Sequence, residues 1–212
     1  MAKIIVNDIE INALEGENLL KVCLENDIYI PNLCYIKDMD IPSASCRICF
    51  VEMLDEKKIV SACTTQIKDG MVLRTDTEAV ISLQKAGFKL LLSLHKVDCK
   101  NCPANRKCEL QKIAKYLKVG LAQKETEKYL KPIDIDTAHP FIEYYPNRCI
   151  LCGKCIYKCI EKNGKSNLAF AKRGFDTVIT FYGEINCNTC NECINICPVS
   201  ALCFKKKESF FA

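Results

Sequence analysis

Short apolar runs separated by polar turns make up residues 1–77. Four of these runs have the pattern of strands: KIIV at 3–6, EINA at 10–13, 48–54 and 71–74. The first two are typical of a hairpin, and residues 18–26, which follow the Glu15-Gly16 turn, have the pattern of a helix. This set of elements predicts a small α+β domain.

A longer apolar pattern follows this domain. From about Glu78 through FKLLLSLH the spacing predicts a helix that ends near His95. The next polar stretch contains Pro132 and Pro140 and is predicted to be a linker, while VITFYG further on predicts a strand inside an insertion. The predicted organisation is an α+β domain at 1–77, a helical domain at 78–120, a linker at 121–145, a C-terminal domain at 146–205 and a tail at 206–212.

Cysteine content is the most unusual property of the composition. Seventeen of the 212 residues are cysteine, more than ordinary buried thiols account for. The start MAKIIVNDIE lacks the charged residues and apolar run of a secretory signal, and no apolar stretch is long enough to span a bilayer. We therefore expect the chain in a reducing cytoplasm, where cysteines bind metal rather than form disulfides.

Eight cysteines near the C-terminus repeat one spacing twice. The runs are C-x2-C-x2-C-x3-C at 149–159 and C-x2-C-x2-C-x3-C-P at 187–198. In two-cluster ferredoxins the fourth cysteine of each run crosses to the other 4Fe-4S cluster. The predicted ligand sets are Cys149, Cys152, Cys155 and Cys197 for one cluster, and Cys187, Cys190, Cys193 and Cys159 for the other. Zinc, the alternative, needs two pairs of ligands per site, whereas each run has three cysteines in one tight loop.

A different cysteine spacing occurs in the α+β domain. It consists of Cys34, Cys46, Cys49 and Cys63. Plant-type 2Fe-2S sites share the C-x2-C pair with one earlier and one distant later cysteine, although the first gap here is longer than the plant x4. The loop around Cys46 is rich in small residues, whose N–H groups can hydrogen-bond cluster sulfurs. We predict a β-grasp 2Fe-2S ferredoxin domain.

Three more cysteines follow the helix predicted to end near His95, and they have no fourth cysteine partner. A lone histidine on such a helix is by default a surface or core residue. Because His95 lies one turn before Cys99, Cys102 and Cys108, we predict that these four side chains hold a third 4Fe-4S cluster in a small helical domain. The other cysteines and histidine are predicted to be ordinary: Cys23 in the core, Cys203 beside the last cluster and His139 in the linker.

The formal net charge of +4 invites a nucleic-acid function, but that sum counts every cysteine as neutral. Four bound clusters would contribute about −7, which takes the loaded protein to about −3. The lysine excess then compensates buried anionic clusters, so we expect no nucleic-acid partner. The glycines form neither G-x-G-x-x-G nor a P-loop, and no acid, base or nucleophile constellation stands outside the ligands. We expect no substrate site in this chain.

These four motifs in this order resemble the iron–sulfur module shared by the large peripheral subunit of complex I, the accessory half of long iron-only hydrogenases and the small diaphorase subunit of NAD-linked hydrogenases. The segments that carry the resemblance are PNLCY with Cys46, Cys49 and Cys63, HKVDCKNCPANRKC, CILCGKCIYKC with KRGF, and NCNTCNECINICPVSAL. The resemblance covers essentially the whole chain. Complex I keeps one cubane in its last domain, so eight cysteines here favour the hydrogenase and diaphorase branch.

The resemblance implies an electron-transfer subunit of a cytoplasmic NAD(P)-linked oxidoreductase with one 2Fe-2S and three 4Fe-4S clusters. Its expected partners are a flavin- and NAD(P)-binding diaphorase-type subunit and a catalytic subunit such as a hydrogenase, because the 15 residues after Cys197 leave no room for a catalytic domain. A formate dehydrogenase subunit and an electron-bifurcating transhydrogenase stay open, as does a redox-sensing binding module. The adjacent Phe210 and Phe211 belong either to a disordered tail or to a docking peptide.

Overall fold

The computed structural model describes residues 1–37, 39–122, 129–130, 133–183, 187 and 190–205. The tail with Phe210 and Phe211 lies outside the described residues. The chain divides into two compact units, Met1–Leu91 with Ile113–Gly120 and Leu92–Lys112 with Leu121–Ala212. The range predicted as a helical domain, 78–120, therefore contributes residues to both units.

A five-stranded mixed sheet forms the framework of the N-terminal unit. Its strands are β1 Ala2–Val6, β2 Ile9–Ala13, β3 Phe50–Met53, β4 Lys58–Ser61 and β5 Val72–Arg74, in the order β2-β1-β5-β3-β4. Strands β1 and β5 are parallel, and the other neighbours are antiparallel. The hairpin and the strands predicted at 48–54 and 71–74 are confirmed, whereas β4 was not predicted.

Helix α1 (Leu19–Glu25) completes the core of this unit. Alternation along β1 buries Ile4 and Val6 in one cluster with the apolar residues of α1. The helix begins where the side-chain oxygen of Asn18 accepts a hydrogen bond from the N–H of Lys21, which satisfies one of its free N-terminal donors. The helix predicted at 18–26 is confirmed.

Helix α2 (Glu78–Ser93) confirms the helix predicted from about Glu78, and it packs closely against the segment that carries the second and third predicted cluster cysteines. A Cβ atom added at Gly87 would lie 2.3 Å from the carbonyl oxygen of Arg47. Three residues earlier, the buried Gln84 donates from Nε2 to the carbonyl oxygen of Phe50 at 3.0 Å. These two contacts fix α2 on both sides of Cys49.

Two short antiparallel strand pairs occur in the C-terminal unit. They are β6 Ile142–Tyr144 with β9 Leu202–Phe204, and β7 Leu168–Ala171 with β8 Val178–Phe181. Strand β6 falls in the range predicted as a linker, and the β7–β8 hairpin occupies the predicted insertion, where only the second strand was expected. The remaining helices are α3 Glu109–Leu117, α4 Lys154–Asn163 and α5 Glu192–Asn195. Among the described residues, no helix is both long and apolar enough to cross a membrane.

Candidate metal centres

The four cysteines predicted to hold a 2Fe-2S cluster come together in the N-terminal unit as two pairs. The Sγ atoms of Cys34 and Cys46 lie 3.4 Å apart, and the thiols of Cys49 and Cys63 hydrogen-bond each other. All four side chains are buried. A 2Fe-2S cluster takes four thiolates on two irons, so two close pairs are an arrangement that suits it.

Local backbone geometry brings these pairs to one place. The loop before β3 turns through the left-handed region at Ala44 and Arg47, with φ of 48° and 52°, a conformation that non-glycine residues keep only when their surroundings enforce it. Cys63 arrives on a 3-10 turn, Ala62–Thr64, that follows β4. In this turn the N–H of Ala62 donates to the carbonyl oxygen of Cys49 at 2.8 Å, so a backbone hydrogen bond joins the two halves of the site.

Within each pair of this site the two thiols have pKa values shifted in opposite directions. A hydrogen bond from Cys46 lowers the pKa of Cys34 to about 5, and the same bond raises the pKa of Cys46. The other pair behaves alike, because the bond to Cys63 lowers the pKa of Cys49 while that of Cys63 rises. In each pair the shared hydrogen bond favours ionisation of one sulfur, Cys34 or Cys49, over that of its partner. Ferric ions would supply the positive charge that lets all four sulfurs ionise.

His95 and the three cysteines that follow it line one cavity in the C-terminal unit: His95, Cys99, Cys102 and Cys108. The Nδ1 atom of His95 lies 2.9 Å from the carbonyl oxygen of Arg148, which can only accept a hydrogen bond. Nδ1 therefore carries the proton, and Nε2 keeps its lone pair. Burial lowers the pKa of His95, which favours the neutral ring. A neutral imidazole whose other nitrogen is held by a carbonyl is the usual metal-binding form.

The three cysteines of this group lie on two turns. Cys99 begins a 3-10 turn in which the N–H of Cys102 donates to the Cys99 carbonyl oxygen at 3.3 Å. Cys108 immediately precedes α3, and its sulfur accepts hydrogen bonds from the N–H groups of Gln111 and Leu110. Burial raises the pKa of Cys108, and these two N–H groups oppose the shift. The start of a helix favours a thiolate at this position.

The eight C-terminal cysteines form two groups that exchange one member each. One cavity is lined by three cysteines of the first run and the last of the second: Cys149, Cys152, Cys155 and Cys197. The other group joins three of the second run to the last of the first: Cys187, Cys190, Cys193 and Cys159. Burial raises the pKa of Cys193 to about 12, and its three neighbours add to the shift. Helix α4 supplies Cys155 to one group and Cys159 to the other.

Backbone N–H groups face sulfurs of both C-terminal groups. The pairs are Leu151 to Cys149 at 3.4 Å, Ala201 to Cys197 at 3.2 Å and Asn167 to Cys159 at 3.3 Å. Such donors stabilise negative charge on cluster sulfurs and are one of the ways in which a protein sets cluster potential. The loops provide these donors through local turns, with positive φ at Leu151 and Ser200.

Side chains also face these sulfurs, and the sequence predicted none of these contacts. The side-chain amide of Asn163, at the end of α4, lies 3.6 Å from the sulfur of Cys159. The side chain of Tyr144 lines the cavity of the first group beside Cys149, and its hydroxyl oxygen accepts from the N–H of Ile179 at 3.1 Å. The side-chain amide of Asn167 lies 3.8 Å from the sulfur of Cys187. Neither Tyr144 nor Asn167 is a ligand type with a characteristic spacing, and both lie on or next to strands, β6 and β7, that the sequence pattern does not predict. The only sequence signal for Tyr144 was its position shortly before the first cysteine run.

The donor sets fit iron–sulfur chemistry. Burial raises the pKa of Cys149, Cys152 and Cys155, that of Cys152 to about 12, so these thiols stay protonated until metal replaces the protons. In the described part of the chain, no three His, Cys, Asp or Glu side chains have the spacing for a single metal ion. A cluster of several irons holds its ligands farther apart than one ion does. The spacing criterion for a single ion therefore applies to sites of the zinc type and not to iron–sulfur clusters.

The residues predicted to be ordinary have structural contacts. Cys23 is buried in α1, and burial raises its pKa to about 12, as expected of a core thiol. Cys203 donates from Sγ to the carbonyl oxygen of Ser200 at 3.3 Å. His139 is 3% exposed, and its Nδ1 accepts from the N–H groups of Phe141 and Ile142, each at 3.1 Å. It is a buried part of the C-terminal unit.

Profiles of three protein families match successive parts of the chain. The family described as 2Fe-2S iron-sulfur cluster binding domain matches residues 1–78. The NADH-ubiquinone oxidoreductase-G iron-sulfur binding region matches 84–121, and the ferredoxin-like domain of NADH-quinone oxidoreductase subunit 3 matches 139–203. The iron–sulfur module predicted from the cysteine motifs is thereby confirmed.

Relatives with known names match nearly the whole chain. An NADH-quinone oxidoreductase subunit of Rhizobium meliloti is 33% identical, over 95% of this chain and 24% of its own length. NADPH-Fe(3+) oxidoreductase subunit alpha of Geobacter sulfurreducens is 32% identical, over 97% and 24%. The NADP-reducing hydrogenase subunit HndD of Solidesulfovibrio fructosivorans is 30% identical, over 89% and 33%. The chain thus spans a quarter to a third of the length of these relatives.

A chain of a solved structure has the same fold. In the crystal structure of an NAD+-reducing NiFe hydrogenase in the H2-reduced state, one chain superposes with a TM-score of 0.85. The match covers 100% of this chain and 90% of the other, at 24% sequence identity. At that identity the similarity establishes the fold alone.

Proposed function

We propose that this chain, an iron–sulfur module related to subunits of NADH-quinone oxidoreductases and of NADP-reducing hydrogenases, relays single electrons between two partner subunits. The observation that carries this proposal is the exchange of Cys159 and Cys197 between the two C-terminal cysteine groups. Helix α4 supplies a member of each group, so two clusters bound there would lie close together. A purely structural metal site has no need of a close second cluster.

The proposed cofactors are one 2Fe-2S cluster and three 4Fe-4S clusters, which would supply one-electron redox chemistry when bound. The proposed ligands are Cys34, Cys46, Cys49 and Cys63 for the 2Fe-2S cluster, and for the others His95 with Cys99, Cys102 and Cys108, then the two exchanged groups. The residues of the chain hold the metal, exclude water and direct N–H groups at the sulfurs. We infer a β-grasp topology for the N-terminal domain from the mixed sheet with α1.

The proposed partners follow from what the sequence does not contain. No glycine-rich nucleotide motif is present, so hydride transfer from NADH or NADPH would take place on a flavin-containing diaphorase-type subunit. The relatives named for NADH, NADPH and NADP support a nicotinamide-linked assembly, and we propose the cytoplasm as its location. The relative that is a hydrogenase subunit favours a hydrogenase as the catalytic partner, with formate dehydrogenase and bifurcating transhydrogenase as alternatives.

Metal and sulfide analysis tests the proposal directly. After anaerobic reconstitution we expect about fourteen irons per chain and as many acid-labile sulfides, two from the 2Fe-2S cluster and twelve from three cubanes. Paramagnetic resonance of the reduced chain should resolve four centres. Stoichiometric zinc without visible charge-transfer absorbance would refute the electron-transfer function. NADH alone should leave the clusters oxidised, and addition of the copurified flavoprotein should bleach them, with dithionite as the positive control.

A further inference from the structure

Tyr144 lines the cavity that contains Cys149, and a backbone N–H donor holds its hydroxyl group. Tyr144 lies on β6 and is 2% exposed. Its oxygen accepts a hydrogen bond from the N–H of Ile179 at 3.1 Å. Tyr144 and Ile179 line the same cavity as Cys149, Cys152, Cys155 and Cys197, so a predicted cluster ligand lies beside the tyrosine side chain. Because the hydroxyl oxygen of Tyr144 already accepts from the N–H of Ile179, the hydroxyl proton is available for donation to the sulfur of Cys149.

The position of Tyr144 is fixed by strand pairing on both sides. Its N–H and C=O exchange hydrogen bonds with the backbone of Asp136, each at 2.9 Å. In the β6–β9 pair it stands opposite Leu202. Ile179 belongs to β8, in the hairpin inserted between the two cysteine runs. The insertion therefore supplies the amide that orients the Tyr144 hydroxyl toward Cys149.

We propose that Tyr144 is a positioning residue whose hydroxyl donates to the sulfur of Cys149 and so raises the reduction potential of the cluster bound there, and that the inserted β7–β8 hairpin holds this hydroxyl in place. This inference rests on the proposed function. A reduced cluster carries one more negative charge than the oxidised cluster, and part of that charge resides on the cysteine sulfurs. A hydrogen bond to Cys149 stabilises the reduced form more than the oxidised form, and therefore favours electron uptake.

A role in packing alone makes a different prediction. The neighbouring Tyr145 also carries a hydroxyl, but that hydroxyl donates to the carboxylate of Glu143 at 2.8 Å. Tyr145→Phe therefore removes a tyrosine hydroxyl at the adjacent position and leaves the Tyr144 hydroxyl beside Cys149 unchanged. Tyr144→Phe keeps the ring and leaves the N–H of Leu151 on Cys149, so the cluster retains one donor at this sulfur.

The test compares the full chain with its Tyr144→Phe and Tyr145→Phe variants after anaerobic reconstitution. Iron and sulfide are counted first, and each cluster is then titrated by paramagnetic resonance at controlled potential. We expect Tyr144→Phe to make reduction of one 4Fe-4S cluster about three- to tenfold less favourable, a shift of up to about 59 mV to lower potential. The other clusters, and all clusters of Tyr145→Phe, should keep their midpoints.

A variant at a second side-chain donor, Asn167, shows which of the two C-terminal clusters Tyr144 affects. Asn167→Ala removes the amide near Cys187 but keeps the backbone N–H on Cys159. We expect it to shift a different signal from the one that Tyr144→Phe shifts. The same signal moving in both variants would overturn the assignment of Tyr144 to the Cys149 cluster.

If Tyr144→Phe loses iron, site-specific 3-fluorotyrosine at position 144 provides a second test, because it keeps the hydroxyl group. Fluorine makes the phenol a stronger donor, so the affected midpoint should rise instead of fall. Unchanged midpoints in the fluorotyrosine chain, or in a fully loaded Tyr144→Phe chain, would overturn the inference and leave the proposed function intact. A wild-type chain that binds no clusters would refute the proposed function itself.

Discussion

The side-chain amide of Asn18 donates to the carbonyl oxygen of Cys63 at 2.6 Å, and its oxygen accepts from the N–H of Lys21 at 3.1 Å. One side chain thus begins helix α1 and anchors the turn that carries a predicted cluster ligand. The first role concerns local helix stability, and the second concerns the geometry of the metal site. Substitutions can separate them, because a hydroxyl can cap a helix but cannot reach both partners in this way.

Asn18→Ser should retain the helix cap and lose the bond to Cys63, whereas Asn18→Ala should lose both. We expect Ser to reduce the free energy of unfolding by about 0.5–1.5 kcal/mol, and Ala by about 1 kcal/mol more. Denaturant unfolding measures stability, and the absorbance of the 2Fe-2S cluster during incubation with a chelator measures its loss. Chelation at the wild-type rate in both variants would show that the anchor to Cys63 has no part in holding the cluster.

Gly87→Ala tests the docking of α2 on the cysteine loop. Helix propensity alone predicts that alanine stabilises this helix by about 0.8–1.0 kcal/mol. The added Cβ would instead lie 2.3 Å from the carbonyl oxygen of Arg47, so the helix or the loop must move. We expect a net loss of about 1–3 kcal/mol, as for overpacked cores, with weaker binding of the 2Fe-2S cluster.

Gly120→Ala is the matched control for this substitution. A Cβ at Gly120 meets no atom within 4 Å, and the backbone there is not in the left-handed region. It should leave both the unfolding midpoint and the 2Fe-2S absorbance unchanged. If Gly87→Ala proves as stable as wild type, the close approach to Arg47 does not constrain the loop.

Local sequence patterns predicted the elements that depend on local interactions. The hairpin was predicted from short-range alternation and α1 from the helical pattern after the Glu15-Gly16 turn, and the ligand groups were predicted from cysteine spacings with a known chemistry. Strand β6 was not predicted because Ile142–Tyr144 is three residues long and pairs with β9, about 60 residues away. The donors Tyr144 and Asn167 belong to the same kind of long-range arrangement.

The packing of helix α2 is a second feature that spacing does not predict. Periodicity predicts the helix from about Glu78, and the residues of the range 78–120 belong to both compact units. A helix is local, whereas the side it packs against is decided by residues such as Gln84 and Gly87, whose partners lie about 35–40 residues earlier. Periodicity does not identify such partners.

His139 should make stability depend on pH. Its Nδ1 accepts two backbone N–H bonds, its Nε2 has no hydrogen-bond partner among the described residues, and its ring lies 4.4 Å from that of Phe181. Burial lowers its pKa, and of the nearby charges Lys205 adds to the shift while Asp136 opposes it. The unfolded chain therefore takes up the proton first, and stability falls as pH drops below about 6.5.

His139→Asn tests this pH dependence, since the amide oxygen can replace Nδ1 as an acceptor and does not titrate. The thermal midpoint of the loaded chain is measured by near-ultraviolet circular dichroism from pH 8 to pH 5.5. Wild type should lose stability across this range, and the variant should show a flatter profile at a lower overall midpoint, because ring packing is lost. Parallel profiles would mean that other groups carry the acid sensitivity.

The last prediction concerns His95, whose Nδ1 is held by the Arg148 carbonyl and whose Nε2 is free to bind iron. A neutral imidazole in place of a thiolate removes one negative charge from the cluster, so reduction is easier than at an all-cysteine site. His95→Cys should therefore lower the potential of that cluster, with each 59 mV equal to about a tenfold change in the equilibrium constant. His95→Ala should leave an open iron and a cluster prone to convert to a 3Fe form. Paramagnetic resonance during redox titration distinguishes the three chains, and identical spectra and midpoints in all of them would exclude His95 as a ligand.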